Sequence, residues 1–167
     1  QWGGMQPVLS AGIAPTDRAP AIDGKIDEAW AKAQAYKLEH SFYDPVSDEA
    51  DCSAWFKALC DKDYLYVLVE VADDELCGDS AEFWLDDGVE IFLSADNSRW
   101  GHYADNDYQY CFQWHRTSPV MGESKHEKTD GVEFAFGGTD AGYRLEVRLP
   151  WATLGATPSA GTAIGFD

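Results

Sequence analysis

A tryptophan and a carboxylate lie close together in the segment EFWLDDGVEIFLSAD, residues 82–96. Trp84 directly precedes an acidic turn, Asp86-Asp87-Gly88, so its ring is expected to be more exposed than one inside a regular period. Glu90 follows on an alternating run, opposite the apolar side chains. An exposed indole can stack on the C–H face of a sugar ring, and a fixed carboxylate can accept hydroxyl hydrogen bonds. The alternative is a core tryptophan whose acidic neighbours solvate the turn.

A second polar surface is predicted on the segment YQYCFQWH, residues 108–115. Aromatic residues occupy one face, and the other face carries Gln109, Cys111, Gln113 and His115. Amide and imidazole groups both donate and accept hydrogen bonds, which suits the hydroxyl groups of sugars. An ordinary half-exposed strand would show the same pattern.

Other residues extend or limit this site. Trp100 is the second candidate for stacking, because Trp30, Trp114 and Trp151 lie in periodic or capping contexts typical of a core. The carboxylates near Glu90 resemble the paired acids of a glycosidase. A chain with 30 acidic residues produces such pairs by chance, so no catalytic activity is predicted.

Acidic turns supply the oxygen ligands that calcium prefers. The candidate ligands are Asp73 and Asp74 at the end of one alternating run, and Asp86 and Asp87 before another. Aspartate also favours turns without any metal. We expect at least one structural calcium ion, although the sequence contains no EF-hand loop and no H-E-x-x-H motif.

Charge and hydropathy exclude several classes of partner. The chain has 12 basic against 30 acidic residues, a formal net charge of −18. Nucleic acids and anionic membrane surfaces would be repelled. No apolar run reaches the roughly 18 residues of a membrane span, so no membrane insertion is expected. A mature secreted protein, extracellular or periplasmic, fits this composition.

The cysteines leave the redox state open. Four are present and none forms a C-x-x-C pair, which argues against a zinc ribbon or a thioredoxin-type site. Disulfides and free thiols are both compatible with the spacing. The positions are Cys52, Cys60, Cys77 and Cys111.

The elements that must position these residues are mainly strands. Residues 1–18 lack a sustained period and are predicted to be a leader or linker, and residues 19–167 a single domain. Asp27 is placed to cap a short helix. From Cys52 onward the apolar residues alternate, first in a hairpin around the turn Asp61-Lys62-Asp63. Further strands are predicted at 89–93, 108–115, 132–136 and 143–149.

This pattern predicts an all-β fold: an antiparallel β-sandwich, jelly-roll or immunoglobulin-like, with one or two short helices. In the last hairpin Arg144, Glu146 and Arg148 are predicted to form an ordinary solvated face. Ile164 and Phe166 are predicted to begin a further strand, so the sandwich is expected to lack its closing strands.

Five segments in order resemble the family 9 carbohydrate-binding modules: APAIDGKIDEAW, DKDYLYVLVEVADDEL, FWLDDGVEIFLSADN, YRLEVRLPWATLG and AIGFD. The resemblance runs from about residue 19 to residue 167. It implies a β-sandwich with structural calcium, joined to other domains of a secreted xylanase or related enzyme. It also places Trp84 at a tryptophan that sandwiches a sugar end and Glu90 at a sugar-bonding carboxylate. Cys111 stands where the sugar-binding type has an arginine, and a second tryptophan would follow AIGFD.

The function predicted is therefore non-catalytic binding of plant-type polysaccharides or oligosaccharide ends by a module of a secreted protein. Two alternatives remain open. Relatives of the fold include haem-binding redox subunits, in which His115 and Met121 would be the axial candidates. A structural domain of a cell-surface assembly would use the unfinished last strand as an open edge.

Overall fold

The computed structural model describes residues 12–38, 48–49, 51–80, 85–98, 102–117, 120–121 and 128–167. Its strands are, in chain order, β1 (Ala14–Pro15), β2 (Tyr36–Leu38), β3 (Ser53–Cys60), β4 (Tyr64–Ala72), β5 (Gly88–Ser94), β6 (Asp107–Gln113), β7 (Val120–Met121), β8 (Glu133–Thr139), β9 (Gly142–Pro150) and β10 (Gly165–Phe166). A 3₁₀ helix spans Glu28–Lys32, and helix α1 spans Trp151–Leu154. None of the described helices is long and apolar enough to cross a membrane.

Two sheets form the sandwich. Among the described residues, six strands make the first sheet in the order β1-β3-β4-β9-β8, with β2 also paired to β3. Four strands make the second sheet in the order β10-β5-β6-β7. Except for the parallel pair β1 and β3, these pairings are antiparallel. The antiparallel β-sandwich predicted from the sequence is confirmed.

The core lies between the sheets, where alternate residues of β3, β4 and β9 meet alternate residues of β5 and β6. Burying each such apolar side chain contributes about 1.5–3 kcal/mol. Because successive strand residues point to opposite faces, the same alternation sends Glu90 and Gln109 to the outside of the second sheet. Fully buried members include Leu65, Val67, Tyr110, Phe112, Leu145 and Val147.

The hairpin between β3 and β4 forms around the predicted turn. The Asp61 carboxylate accepts hydrogen bonds from the backbone N–H of Asp63 and Tyr64, both at 2.8 Å, and from the Tyr66 hydroxyl at 2.7 Å. Burial opposes ionisation of Asp61, but these hydrogen bonds outweigh it and lower the pKa of the carboxyl group. The Trp151 indole donates to the Asp61 carbonyl at 3.0 Å, which fastens α1 to this end of the sandwich.

Part of the first sheet's outer face is covered by the segment that leads into β2. Asp27 accepts from the backbone N–H of Ala29 at 2.7 Å and caps the helix, as predicted, although the helix is of the 3₁₀ type. Trp30 is fully buried against the outer side of β3 and β4. In the described part of the leader, residues 12–18, β1 extends the sheet beside β3.

The prediction of a solvated face at Glu146 is wrong. Its side chain is 0% exposed. One carboxylate oxygen accepts from the Trp30 indole at 2.8 Å, and the other accepts from the backbone N–H groups of Gly24 and Asp23, at 2.8 and 3.2 Å. The covering segment therefore supplies three donors, which is why a carboxylate can be buried here.

The other predicted strands agree with the structure within one to three residues at each end, whereas the short strands β1, β2 and β7 were not predicted. β6 ends at Gln113, two residues before the predicted end, because Trp114 and His115 form a turn in which His115 has φ of 67°. Ile164 and Phe166 flank or form the short strand β10, which pairs with β5. All four cysteines are free thiols.

Candidate functional site

The polar residues predicted for binding meet on the outer face of the second sheet. Glu90 of β5 lies directly opposite Cys111 of β6, and Gln109 lies opposite Phe92, two residues along. Directly opposed side chains in an antiparallel pair are about 5 Å apart, and diagonal neighbours are within reach of long side chains. The strand register therefore brings together residues separated by about twenty positions in the sequence.

Glu90 is held by two neighbours. The Gln109 amide donates to one carboxylate oxygen at 3.2 Å, and the Cys111 thiol donates to the other at 3.6 Å. The Tyr103 hydroxyl in turn donates to the Gln109 carbonyl oxygen at 3.1 Å. The carboxylate is exposed, and its two oxygens have about four lone-pair sites, so it can still accept hydroxyl groups of a ligand.

Cys111 is a thiol in this site and not a thiolate. Burial, and then the negative charge of Glu90 beside it, raise the pKa of the Cys111 thiol to about 12. The sulfur therefore keeps its proton and acts as a weak donor to Glu90. Its contribution is to orient the carboxylate.

A shallow cavity of about 210 Å³ opens beside Glu90. This volume is smaller than the roughly 300 Å³ of pockets that enclose a small molecule. The cavity can therefore contact one side of a ligand but does not enclose it. Asp86 contributes a side chain that is only 1% exposed and accepts from the backbone N–H of Ser80 at 2.8 Å. The residues lining the cavity are Asp86, Gly88, Val89, Glu90, Cys111, Phe112 and Gln113.

Not every predicted ligand-binding residue is open to solvent. Cys111 and Gln113 are buried, and β7 pairs with β6 at Cys111. Gln109 is half-buried. Of the predicted residues on this face, Glu90 and Gln109 can therefore contact a ligand directly, while Cys111 and Gln113 line the cavity.

The two stacking candidates, Trp84 and Trp100, lie outside the described residues. The chain is described again from Leu85, which is exposed and directly precedes the cavity residue Asp86.

The predicted calcium ligands form two groups. Burial raises the pKa of Asp73, and the nearby carboxylates of Asp87, Asp74 and Asp51 act in the same direction, against a hydrogen bond from the backbone of Glu75. Asp86, in contrast, is directed toward Ser80. Among the described residues, no three carboxylate, imidazole or thiol groups converge closely enough to form a ready metal cage.

The two residues considered as axial ligands for haem belong to separate parts of the second sheet's backbone. Met121 lies on β7 opposite Tyr110, near the middle of β6, whereas His115 is exposed in the turn beyond the end of β6. The His115 ring contacts Trp114, with the ring centres 4.8 Å apart.

Comparison with known proteins agrees with this architecture. The family model described as "Carbohydrate family 9 binding domain-like" matches residues 22–167. Exoglucanase XynX of Acetivibrio thermocellus is 34% identical over 148 residues, which are 89% of this chain and 13% of that protein. Endo-1,4-beta-xylanase A of Thermotoga maritima is 34% identical over 150 residues, again 89% and 13%. The chain therefore spans about an eighth of the length of these relatives.

Two solved structures have the same fold. Both are of a family 9 carbohydrate-binding module from Caldicellulosiruptor kristjanssonii, one in complex with cellotriose and one with glucose. The cellotriose complex has a TM-score of 0.77 and 25% sequence identity, and covers 94% of this chain and 74% of that one. The glucose complex has a TM-score of 0.76 and 26% identity, and covers 92% and 73%.

Proposed function

This chain belongs to the carbohydrate family 9 binding domain-like family, whose members are non-catalytic binding modules, and we propose that it binds cello- or xylo-oligosaccharide ends through the face around Glu90. The observation that carries the proposal is the carboxylate of Glu90, exposed on a rigid sheet and oriented from both sides by Gln109 and Cys111. The similar modules were solved with glucose and cellotriose bound, which supports this class of ligand.

In this proposal each residue has a distinct part. Glu90 accepts hydrogen bonds from two hydroxyl groups of one sugar ring. Gln109 positions Glu90 and offers its amide to the same ligand. Cys111 orients the carboxylate through its thiol and provides none of the multiple donors of an arginine. Trp84, which directly precedes Leu85 at the edge of the cavity, supplies the stacking surface for the ring.

We also propose the setting of the module. The relatives named above are xylan- and glucan-degrading enzymes of which the matched region is about 13%. A small binding domain in such a protein holds the enzyme near an insoluble substrate and raises its effective concentration there. The chain is accordingly proposed to be part of a secreted, multidomain polysaccharide-degrading protein.

Replacement of Trp84 by alanine is expected to weaken sugar binding about two- to twelvefold, because stacking on an aromatic ring contributes about 0.5–1.5 kcal/mol beyond area burial. The melting temperature should stay within about 1 °C of the wild type, since an exposed ring contributes little to the core. Calorimetric titration with cellotriose and a thermal melt provide the measurements. A variant that unfolds early but binds normally would show that Trp84 packs in the core.

Calcium is proposed as a structural ion near Asp73 and Asp87. Their carboxylates lie close enough to raise the pKa of Asp73, and a divalent cation between them would relieve that repulsion. The negative charges of Asp74 and Asp51 also act on Asp73, and they add to the attraction for a cation at this place.

Removal of calcium with a chelator is therefore expected to lower the melting temperature by several degrees, because an ion that binds only the folded state stabilises it by mass action. Addition of calcium, but not of sodium at equal ionic strength, should restore it. Asp73→Asn should abolish the response to calcium, whereas Asp74→Asn should weaken it less. Identical melts with and without chelator would exclude the ion.

The test of the binding function is titration with cello- and xylo-oligosaccharides and with the same sugars reduced at their ends. Binding of the native sugars and loss of binding on reduction are expected if the face recognises a reducing end. Equal binding of both forms would indicate recognition along the chain. Flat titrations throughout would refute the proposal.

A further inference from the structure

We propose that this chain carries a second carbohydrate-binding surface, on the outer face of the first sheet around Trp55, that contacts a polysaccharide along its length. The inference rests on the proposed function, since it extends carbohydrate binding to the opposite side of the sandwich. The surface is built on what we term the Trp55 row, which consists of Lys37, Trp55, Glu70, Arg144 and Gly137.

The Trp55 row crosses five strands. Its members are successive cross-strand partners on β2, β3, β4, β9 and β8. Adjacent strands are about 4.8 Å apart, so the part of the row from Lys37 to Arg144 is about 14 Å long. The neighbouring residues of each strand, such as Phe56 and Val69, face the core, and the row itself therefore faces outward. A surface of this length can accommodate several sugar rings.

Trp55 is an exposed aromatic residue in the middle of a rigid strand. Its exposure is 37%, whereas Trp30 and Trp151 are buried and Trp114 packs against Phe136 and Tyr143. The Lys37 ammonium lies 5.5 Å from the centre of the indole ring. Strands on both sides of β3 fix the backbone that carries the ring, so ordering it on binding costs little entropy.

The polar groups beside the ring can form hydrogen bonds with the hydroxyl groups of a sugar. Arg144 and Glu70 face each other at 3.8 Å, which is beyond hydrogen-bond distance. A hydroxyl group can lie within about 2.8 Å of both, accepting from the guanidinium and donating to the carboxylate. Lys37 forms an exposed ion pair with Glu49, and such a pair is cheap to rearrange.

The surface has a defined border. At the β8 end of the row the backbone of Gly24 lies on Gly137 itself, so closely that a Cβ atom on Gly137 would be 2.0 Å from the Gly24 carbonyl oxygen. Farther along the strands Leu59 and Leu68 are buried in one cluster with Trp30. The open part of the Trp55 row therefore runs from Lys37 to Arg144, beside a raised edge that can align an extended ligand.

The composition of the row favours a carbohydrate over a protein partner. Its apolar part is a single indole ring among charged groups. A specific protein interface buries at least about 1,000 Å² around an apolar centre. A sugar ring requires one flat apolar surface for its C–H groups and several hydrogen-bonding groups around it, and the row provides both.

The two surfaces lie on opposite sheets of the sandwich, so their contributions to binding can be measured separately. A short oligosaccharide can occupy the Glu90 face alone. An insoluble polysaccharide presents many chains, so both faces can be engaged at once and the apparent affinity rises. Loss of the Trp55 surface should therefore weaken binding to polymers and leave binding of a trisaccharide unchanged.

The experiment compares wild type and Trp55→Ala on insoluble cellulose and insoluble xylan, and by titration with cellotriose. Trp55→Ala is expected to weaken retention on one of the two polymers about five- to tenfold, with cellotriose affinity within twofold of the wild type. Leu38→Ala is the matched control, because Leu38 is an apolar side chain on the adjacent strand β2 and lacks a flat ring. Its side chain is 51% exposed. It should bind both polymers as the wild type does.

Two further variants distinguish a loss of polymer binding from a loss of folding. Trp55→Phe keeps an aromatic ring and should retain most of the polymer binding, and Glu70→Gln leaves the ring in place but should weaken polymer binding. Folded Trp55→Ala and Glu70→Gln variants that bind both polymers as tightly as the wild type would overturn the proposal, and would favour another domain as the partner of this face. A wild type that binds neither polymer nor cellotriose would refute the proposed function itself.

Discussion

Glu146→Gln is expected to destabilise the fold by about 1–3 kcal/mol. The wild-type carboxylate accepts from the Trp30 indole and from the backbone N–H groups of Asp23 and Gly24. Glutamine keeps the shape but replaces one accepting oxygen with an NH₂ group, which would point a donor at another donor. A buried donor left without an acceptor costs about 1–3 kcal/mol. Urea unfolding at neutral pH, followed by tryptophan fluorescence, measures the loss.

The effect should be specific to the buried carboxylate. Glu133→Gln is the matched control, because Glu133 lies on the same face of the first sheet and pairs with Arg148 while about half exposed. Exposed ion pairs contribute about 0–1 kcal/mol, so this variant should be nearly as stable as the wild type. Equal stability of Glu146→Gln and Glu133→Gln would contradict the view that Glu146 fastens the covering segment to the sheet.

Glu146→Gln should also increase the local opening of the covering segment more than it increases global unfolding. Since Glu146 holds the segment that contains Gly24 and Trp30, its loss should increase amide exchange there and on the strands beneath, β3 and β4. Amide exchange in β5 and β6, which belong to the opposite sheet, should change only with the global stability. Uniform changes across both sheets would indicate a general loss of packing instead.

Glu90→Gln is expected to weaken binding of cellotriose about ten- to hundredfold. Hydrogen bonds to a charged group contribute about 1.5–3 kcal/mol, and the substitution removes the charge while keeping the size of the side chain. Because Glu90 is exposed, the free energy of unfolding should change by no more than about 0.5 kcal/mol. Calorimetric titration and urea unfolding of the same protein preparation separate the two quantities.

The neighbours of Glu90 provide graded controls. Gln109→Ala removes the amide that positions the carboxylate and should weaken binding less than Glu90→Gln. Cys111→Ser keeps a donor toward Glu90, with a shorter reach, and is expected to change affinity by less than about threefold. Unchanged cellotriose affinity in Glu90→Gln, with the wild type binding normally, would move the site away from this face.

The sequence alone predicted the β-sandwich because its signals are local. The alternation of Leu65, Val67 and Val69, and the Asp61 turn before them, depend only on neighbouring residues and on the two-residue period of a strand. The cap at Asp27 is local in the same sense. Glu90 was predicted as a site residue from its position opposite the apolar positions of its own strand.

Features that depend on register were not visible in the sequence. The contacts of Glu90 with Gln109 and Cys111 arise from the pairing of β5 with β6, and a shift of one residue would have turned those side chains to the other face. The four metal candidates show the same limit, since the turn positions indicated acidic loops but not that Asp86 would face Ser80.

The alternation of residues in a strand predicts which side chains share a face. It does not predict whether another part of the chain covers that face. Glu146 and Arg144 alternate in the same way, yet the segment around Gly24 and Trp30 buries the first and leaves the second beside solvent. The sequence shows only that Trp55 and Phe56 lie on opposite faces of the same strand. Trp55 is exposed because the covering segment ends before it reaches this position. The sequence by itself determined the longer strands and their two faces, whereas the tertiary structure decided which faces are buried, because burial depends on contacts between residues far apart in the chain.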